Sequence, residues 1–152
     1  MLRARQAYAT IRFMLPTITD PPSAPVYPYV FVYGTLRRGQ ERDINRLQPA
    51  PLFMGNSQTK GTLYDLGNYP GVRLGGVQWV QGEVYQITPE LERQLDEIEE
   101  VWPQQTGEYV RREVAVQCAG RELMCLVYEA SAKRLQGRAV IEGGDWVSHR
   151  IG

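Results

Sequence analysis

The chain has 152 residues, 43% of them hydrophobic and 22% charged, which is the composition of one ordinary globular domain. Its 17 basic and 17 acidic residues cancel, so its charge gives no reason to expect nucleic acid or an anionic membrane as a partner. A single histidine, His149, excludes multi-histidine metal sites and disfavours a catalytic triad. We expect a small neutral or zwitterionic ligand.

Residues 1–28 differ from the rest of the chain. They contain three arginines, one acidic residue and a run of four closely spaced prolines, which indicate an N-terminal extension with a Pro-rich linker. Because Arg12 and Pro16 interrupt the apolar residues of this segment, we expect neither a secretory signal nor a membrane span in it. We therefore predict a single domain over residues 29–152.

Cysteine is sparse in this chain, and its two cysteines flank a predicted hairpin turn at residues 119–120. Cys118 and Cys125 lie at unequal distances from that turn, so we expect no disulfide between them. With no evident export signal, such cysteine usage indicates a reducing compartment, and we expect a cytoplasmic protein.

A short apolar strand that runs into a glycine-bracketed turn is the most informative stretch. Residues 29–33 are aromatic and β-branched without a helical period, which predicts a buried strand. Gly34 then lets the backbone turn sharply. Successive N–H groups at the end of a buried strand can hold a carboxylate or an oxyanion, although most turns of this kind only connect two elements.

The rest of the chain is predicted to alternate strands with one clear helix. In chain order the patterns predict a short helix over 41–47, antiparallel strands over 59–66 and 77–87, a helix over 89–99, and a hairpin over 109–116 and 121–130. The second hairpin strand is apolar on both faces, which places it centrally in its sheet. The glycine-rich tail from Ser131 onward carries no predicted element.

The helix over 89–99 also carries the candidate acids. Thr88 is its predicted N-cap and Pro89 its first residue, and an apolar stripe of leucine and isoleucine faces the core. At about 100° per residue, Glu99 lies roughly 70° from the centre of that stripe and Glu92 roughly 90°. Glu99 is therefore the acid predicted to border the core, by a small margin, although on the helix pattern alone such a position is more often a solvated flank. Asp96 lies three residues before Glu99 and could pair with it, but we expect it to face solvent.

Several short motifs occur in a fixed order along the chain. They are VYGTLRRG at 32–39, GxLYDLGxYPG at 61–71, GEVY at 82–85, LDxxE at 95–99, YxR at 109–111, a tyrosine at 128 and GDW at 144–146. Taken together, these motifs resemble the γ-glutamylcyclotransferase family, in particular its γ-glutamylamine-cyclotransferase-like, AIG2-like branch. The resemblance covers about residues 29–146.

The resemblance implies an α+β fold, a small mixed β-barrel with a few flanking helices, and a pocket at one end. It implies an enzyme that converts a γ-glutamyl amine or peptide into 5-oxoproline and a free amine, without metal or cofactor, acting as a monomer or weak homodimer. The site residues that it implies are Glu99 as catalytic acid/base, the loop Tyr33, Gly34, Thr35 and Leu36 as substrate-binding, and Tyr109 and Tyr128 as further pocket residues.

The chemistry of such a cyclisation agrees with the residues present. The substrate's own α-amine attacks its γ-carbonyl, so the protein needs only one base, and a carboxylate shielded by Leu95, Ile98 and Trp102 could move the proton. The amides of residues 34–36 could hold either the α-carboxylate or the oxyanion of the tetrahedral intermediate, and the sequence leaves both assignments open.

Two alternatives share the same residues. One is a non-catalytic module that keeps the fold and binds a small metabolite, and the other removes a γ-glutamyl protecting group from a biosynthetic intermediate.

This chain also departs from the family pattern, because Glu100 stands where a glycine often follows the catalytic glutamate. Arg37 and Arg38 could steer a carboxylate to the loop, although arginines after a turn are usually solvated.

Overall fold

The computed structural model describes residues 28–101 and 104–151. The predicted extension therefore lies outside the described residues except for Pro28, and the division of the chain at residue 29 stays a prediction. Trp102, expected to shield the candidate acid, also lies outside them. Within the described ranges, no helix is long and apolar enough to span a membrane.

Seven strands form one mixed sheet. Their bounds are Tyr29–Val32 (β1), Leu52–Asp65 (β2), Pro70–Leu74 (β3), Gln78–Gln86 (β4), Tyr109–Cys118 (β5), Arg121–Ala130 (β6) and Ala139–Val140 (β7). The order is β3-β2-β4-β1-β6-β5, with β7 paired to β2. Only the pair β1–β6 is parallel among the pairings of the described strands.

The sheet is curled into a half-barrel. Strands β5 and β6 at one end of the order contact β2 and β3 near the other end, which brings the two ends of the sheet together. The predicted α+β class and small mixed barrel with flanking helices are thus confirmed in this curled form, and β6 lies between β1 and β5 as its two apolar faces predict.

Strand β1 runs through the middle of the sheet and contributes to two cores. Phe31 and Tyr33 belong to the core inside the curled sheet, whereas Val30 and Val32 belong to the core on the outer face. Strand β4 comes very close to β1 at Gly82, where a Cβ atom would lie 2.4 Å from the carbonyl oxygen of Val32. Only glycine permits that approach.

Helix α1, Pro89–Ile98, covers the outer face of the sheet. The hydroxyl of Thr88 accepts a hydrogen bond from the N–H of Leu91 at 3.1 Å, which confirms the predicted N-cap. Leu91 and Leu95 are fully buried against β1 and β6 residues. The helix ends with Glu99 as its C-cap, and this position brings Glu99 to the turn that follows β1.

Other local predictions were wrong in detail. The helix expected over 41–47 is a series of turns with one 3-10 turn, Ile44–Arg46, because the Asp43 carboxylate accepts from the N–H groups of Gly39 and Asn45 at 2.9 Å and holds the chain in turns. Strand β2 begins earlier than predicted and has a register shift at residues 53–55. The tail contains two helices, α2 (Ala132–Leu135) and α3 (Trp146–Ile151), as well as β7.

The predicted hairpin turn is present between β5 and β6. Ala119 and Gly120 both have positive φ, 52° and 77°, as a two-residue type I′ turn requires. Cys118 and Cys125 are buried free thiols, in agreement with the expected absence of a disulfide between them.

Candidate active site

A cavity of about 140 Å³ lies where the turn after β1 meets the C-terminal end of α1. It has room for an amino-acid-sized group, about five times the ~30 Å³ that one water occupies. All seven residues predicted for the site line it: Tyr33, Gly34, Thr35, Leu36, Glu99, Tyr109 and Tyr128. Four separate segments of the chain therefore meet here, as the motif order implied, while the catalytic roles stay predictions.

Glu99 presents an unpaired carboxylate to this cavity. Its backbone N–H donates to Leu95 at 2.9 Å, but within the described part of the chain its side chain has no hydrogen-bond or ion-pair partner. Desolvation raises the pKa of Glu99 from 4.5 to about 7; Arg42 opposes this, and Glu100 and Glu108 add to it. A carboxyl with such a pKa can both take and return a proton near neutral pH.

The turn after β1 offers three backbone amides to the same cavity. The carbonyls of Gly34, Thr35 and Leu36 accept hydrogen bonds from residues 37, 42 and 44 at 2.9–3.0 Å, so they are already satisfied. The N–H groups of the same three residues donate to no acceptor among residues 28–101 and 104–151. Since buried amides are rarely left unpaired, this turn is built to receive an anionic or carbonyl oxygen.

A methyl group at Gly34 is expected to disrupt the turn. A Cβ atom there would lie 2.6 Å from Cγ of Pro70, which is closer than van der Waals contact allows. Gly34→Ala should displace Pro70 or the turn, lower the melting temperature by several degrees and reduce ligand binding. Thermal denaturation checks this, with Gly143→Ala as a control for loss of a turn glycine, since nothing lies within 4 Å of a Cβ atom there and its φ is outside the left-handed region; an unchanged Gly34→Ala protein would contradict it.

The three tyrosines shape the cavity with hydroxyl groups that are already engaged. Tyr33 donates to the carbonyl of Tyr128 at 2.6 Å, Tyr109 to that of Pro70 at 2.9 Å, and Tyr128 to Asp96 Oδ1 at 2.7 Å. Burial raises the pKa of each hydroxyl far above its usual value, so all three stay protonated. Their protons are thus committed to the protein, so the proton carrier of the cavity is a carboxyl group, and Glu99 is the one whose pKa is raised to about 7.

Arg42 is a cavity residue that sequence reasoning missed. Among the described residues that line the cavity it is the one cationic side chain, and it forms no ion pair with any of them. Its backbone N–H donates to Thr35 at 2.9 Å, which folds the chain back towards Glu99. Nothing in the local pattern distinguishes Arg42 from other surface arginines; only this return of the turn places it at the site.

The expectation that Asp96 faces solvent was wrong. Asp96 and Glu92 are both buried, and both pair with Arg111 on β5, through Nη1 to Asp96 Oδ2 at 2.6 Å and through Nη2 to Glu92. The hairpin β5–β6 covers this face of α1, so the acids that a helical wheel leaves outside lie between two elements. They hold Arg111 and Tyr128 in place and do not line the cavity.

Arg37 has a structural role away from the cavity. Its Nε lies 3.0 Å from Glu83 Oε2 and its Nη1 lies 3.0 Å from Asp145 Oδ1, in the wall of a second, more open groove. Asp145 in turn accepts from Val147 N–H at the start of α3. Arg37 therefore ties the turn after β1 to the GDW motif, and it is not among the residues that line the cavity.

Arg38, Asp65 and His149 also lie outside the residues that line the cavity. Arg38 lies over the ring of Phe53, 4.5 Å from its centroid, so it also has a packing role. Asp65 accepts from the Gly67 N–H at 2.7 Å, which is the hydrogen bond of an Asx turn. His149 lies 2.8 Å from the other Asp65 oxygen and far from the cavity. The part of the chain that the structure describes has no group of three or more metal-ligating side chains.

Comparison with known proteins agrees with this geometry. The family model described as Gamma-glutamyl cyclotransferase, AIG2-like, matches residues 30–148. A putative gamma-glutamylcyclotransferase from Vibrio cholerae is 40% identical over 119 residues, covering 77% of this chain and 93% of that protein. The crystal structure of an AIG2-like protein from Mus musculus is 29% identical, covers 76% of this chain and 86% of that chain, and has a TM-score of 0.63.

A gamma-L-glutamyl-butirosin B gamma-glutamyl cyclotransferase from Niallia circulans is 42% identical over 74 residues, covering 48% of this chain. That alignment spans less than half of the relative, 46% of its length. The fold and the relatives define a class, enzymes of the γ-glutamyl cyclotransferase type, and support the predicted activity. The chain belongs to the γ-glutamyl cyclotransferase, AIG2-like family, which confirms the resemblance seen in its motifs.

Proposed function

We propose that this protein converts a γ-glutamyl amine or γ-glutamyl peptide into 5-oxoproline and a free amine. One observation carries the proposal: the unpaired carboxylate of Glu99, with its pKa raised to about 7, shares a cavity with three unpaired amides, those of Gly34, Thr35 and Leu36. A base and an oxyanion cradle facing each other are what an acyl transfer from the substrate to its own amine requires. The names of the relatives support the same class of substrate.

The reaction begins with the α-ammonium group of the substrate in contact with Glu99. The carboxylate takes a proton, and the freed amine attacks the γ-carbonyl carbon, which forms the five-membered ring and a tetrahedral intermediate. The amides of residues 34–36 stabilise the oxyanion of that intermediate. Glu99 returns the proton to the nitrogen of the γ-amide, and the carbon–nitrogen bond breaks as the oxyanion becomes a carbonyl again. The ring nitrogen gives up its second proton through Glu99 to the released amine, so that 5-oxoproline and a protonated amine leave.

With Arg42 in the cavity, the α-carboxylate of the substrate and the oxyanion of the intermediate can each be assigned a binding partner of its own. The α-carboxylate is bonded to the same carbon as the attacking amine, so it lies beside Glu99 when the amine does. Arg42 lines this part of the cavity and has no ion-pair partner among the described residues, and a guanidinium binds a carboxylate through two parallel hydrogen bonds. We assign the α-carboxylate to Arg42, which leaves the loop amides for the oxyanion.

Replacing Arg42 tests this division. Arg42→Gln should raise KM for a γ-glutamyl substrate about tenfold or more with a smaller change in kcat, because a hydrogen bond to a charged group contributes about 1.5–3 kcal/mol. Since Arg42 lowers the pKa of Glu99, the variant should also show an acid limb of its pH–rate profile at higher pH. Steady-state kinetics measure both effects. The control is Arg46→Gln, since Arg46 is an exposed arginine that does not line the cavity. An unchanged KM would refute the assignment.

The overall activity is tested by incubating the full chain with γ-glutamyl amines, γ-glutamyl amino acids and glutathione and measuring 5-oxoproline and free amine. An α-glutamyl isomer of each compound is the control, since its amide cannot be released by ring closure at the γ-carbon. Release from at least one γ-glutamyl compound alone is expected. Tight binding of such compounds without any 5-oxoproline would establish a binding module instead. We place the activity in the cytoplasm, where free thiols such as Cys118 and Cys125 persist.

A further inference from the structure

Helix α1 ends in a Schellman motif with a glutamate at the position that glycine usually occupies. The N–H of Val101 donates to the backbone carbonyl of Asp96 at 2.9 Å, and the N–H of Glu100 donates to the backbone carbonyl of Glu97 at 3.1 Å. These are the two hydrogen bonds of that motif. Glu100 has a φ of 57°, in the left-handed region that a side chain with a Cβ atom disfavours. The fold would be more stable with glycine here.

The side chain that is kept at this strained position lines the cavity beside Glu99. Among the residues that the structure describes, the Glu100 carboxylate has no ion-pair or hydrogen-bond partner. The other acid at the cavity mouth, Glu108, differs in this respect, since it lies 3.5 Å from Arg134 and 3.4 Å from the hydroxyl of Tyr69. Glu100 therefore contributes a negative charge at the site that is not paired with any described residue.

We propose that Glu100 is a positioning residue whose charge, held at the cavity mouth by a strained helix end, moves the pH range in which Glu99 exchanges its proton upwards. This rests on the proposed function for its consequence in turnover. A like charge nearby disfavours ionisation, so Glu100 makes Glu99 hold a proton more tightly. A base that is half protonated near neutral pH both accepts and returns the proton efficiently. This benefit to turnover accounts for a glutamate at a strained position.

Glu100 acts on Glu99 together with the other groups around the cavity. Arg42, in the turns after β1, opposes its effect, and Glu108, before β5, adds to it. The remaining titratable groups that line the cavity are the tyrosines of β1, β5, β6 and the loop before β3: Tyr33, Tyr109, Tyr128 and Tyr69. The hydroxyls of Tyr33, Tyr109 and Tyr128 stay neutral near pH 7. The pKa of Glu99 is therefore set by burial and by the charges of Arg42, Glu100 and Glu108.

Two variants separate the charge of Glu100 from its backbone strain. Glu100→Gln removes the charge and keeps the side chain, and Glu100→Gly removes both. We expect both variants to titrate Glu99 on the order of half a pH unit lower than the wild type, measured by ¹³C NMR of the Glu99 carboxyl carbon. At pH 5, where Glu99 is protonated in each protein, only Glu100→Gly should melt higher, by a few degrees, because only glycine relieves the left-handed strain.

The same shift should appear in turnover. The acid limb of kcat/KM should move to lower pH in both variants, so that each retains about threefold more of its plateau rate at pH 6 than the wild type does. The difference should shrink in 1 M salt, which screens an exposed charge. Glu97→Gln, which removes an exposed acid from α1 outside the cavity, should behave like the wild type in every measurement.

The NMR titration does not depend on activity, so it tests the inference even if no γ-glutamyl compound is turned over. A Glu99 titration that is the same in Glu100→Gln and wild type would overturn the role given to Glu100 and leave the proposed function standing. A shifted titration without any 5-oxoproline release would support the electrostatic role and overturn the proposed function alone.

Discussion

Replacing Glu99 with glutamine is expected to reduce kcat for 5-oxoproline release by about 10²- to 10⁴-fold, the range that a positioned acid/base contributes. Glutamine has nearly the same shape but cannot carry the proton from the α-amine to the leaving nitrogen. The hydroxyls of Tyr33, Tyr109 and Tyr128 donate to protein acceptors, so these tyrosines do not replace it. KM should change little, since Arg42 and the loop amides still hold the substrate.

The same substitution should make the fold more stable at alkaline pH. Ionising a desolvated carboxyl destabilises the native state: as pH rises from about 4.5 through about 7, the two values of the Glu99 pKa outside and inside the fold, the wild type loses up to about 3 kcal/mol. Glu99→Gln has no such group, so its stability should exceed that of the wild type at pH 8 and approach it at pH 4. Urea denaturation at both pH values measures this.

Glu97→Gln is the matched control for both effects, since Glu97 is exposed on the same helix. It should leave turnover and the pH dependence of stability unchanged. A Glu99→Gln protein that still releases 5-oxoproline at near the wild-type rate would show that the base is another group. Lost activity together with lower stability at pH 8 would indicate that the glutamine disturbs the fold.

Removing the Arg111 guanidinium is expected to cost about 3–5 kcal/mol of stability, because it leaves buried carboxylates without their cation. Arg111 Nη1 lies 2.6 Å from Asp96 Oδ2 and its Nη2 contacts Glu92, and both acids are almost fully enclosed between α1 and the hairpin. Arg111→Met keeps the aliphatic length and loses the charge. Urea denaturation at pH 7 gives the change in the free energy of unfolding.

Two further proteins make this measurement specific. Arg93→Met removes an arginine from the exposed face of α1 and should stay within about 0.5 kcal/mol of the wild type. Adding Glu92→Leu and Asp96→Leu to Arg111→Met removes the stranded carboxylates and should recover part of the loss, as replacement of a whole buried ion pair commonly does. A loss below about 1 kcal/mol in Arg111→Met would mean that the network is solvated.

Elements with a strong local signal were predicted accurately. Thr88 and Pro89 mark the start of α1 by capping and fixed φ, which depend on a few neighbouring residues, and the hairpin turn at residues 119–120 follows from its own backbone preferences. Strand β3 was missed because Pro70 and Gly71 belong to a turn by local chemistry. Its pairing with β2, in which Asp65 lies opposite Pro70 and Leu63 opposite Val72, outweighs that preference.

The helical pattern ranked Glu99 above Glu92 by a small angle, and the structure separates them by their partners. Glu92 is the more buried of the two, but Arg111 neutralises it, whereas Glu99 has no counter-ion among the described residues. A helical wheel reports which side of a helix a residue is on, and it contains nothing about the strand that packs there. The distinction between a structural acid and a candidate catalytic acid therefore came from β5.

The amino-acid sequence by itself determined the family, the α+β class, helix α1 and the seven residues that meet in the cavity. Motifs in a fixed order and local capping signals are properties of the chain alone. Only the tertiary structure decided that the tyrosine protons are committed, that Arg42 belongs to the site and that Asp96 does not. Charge pairing and desolvation depend on which segments come together in space, and a carboxylate's pKa is set by exactly those neighbours.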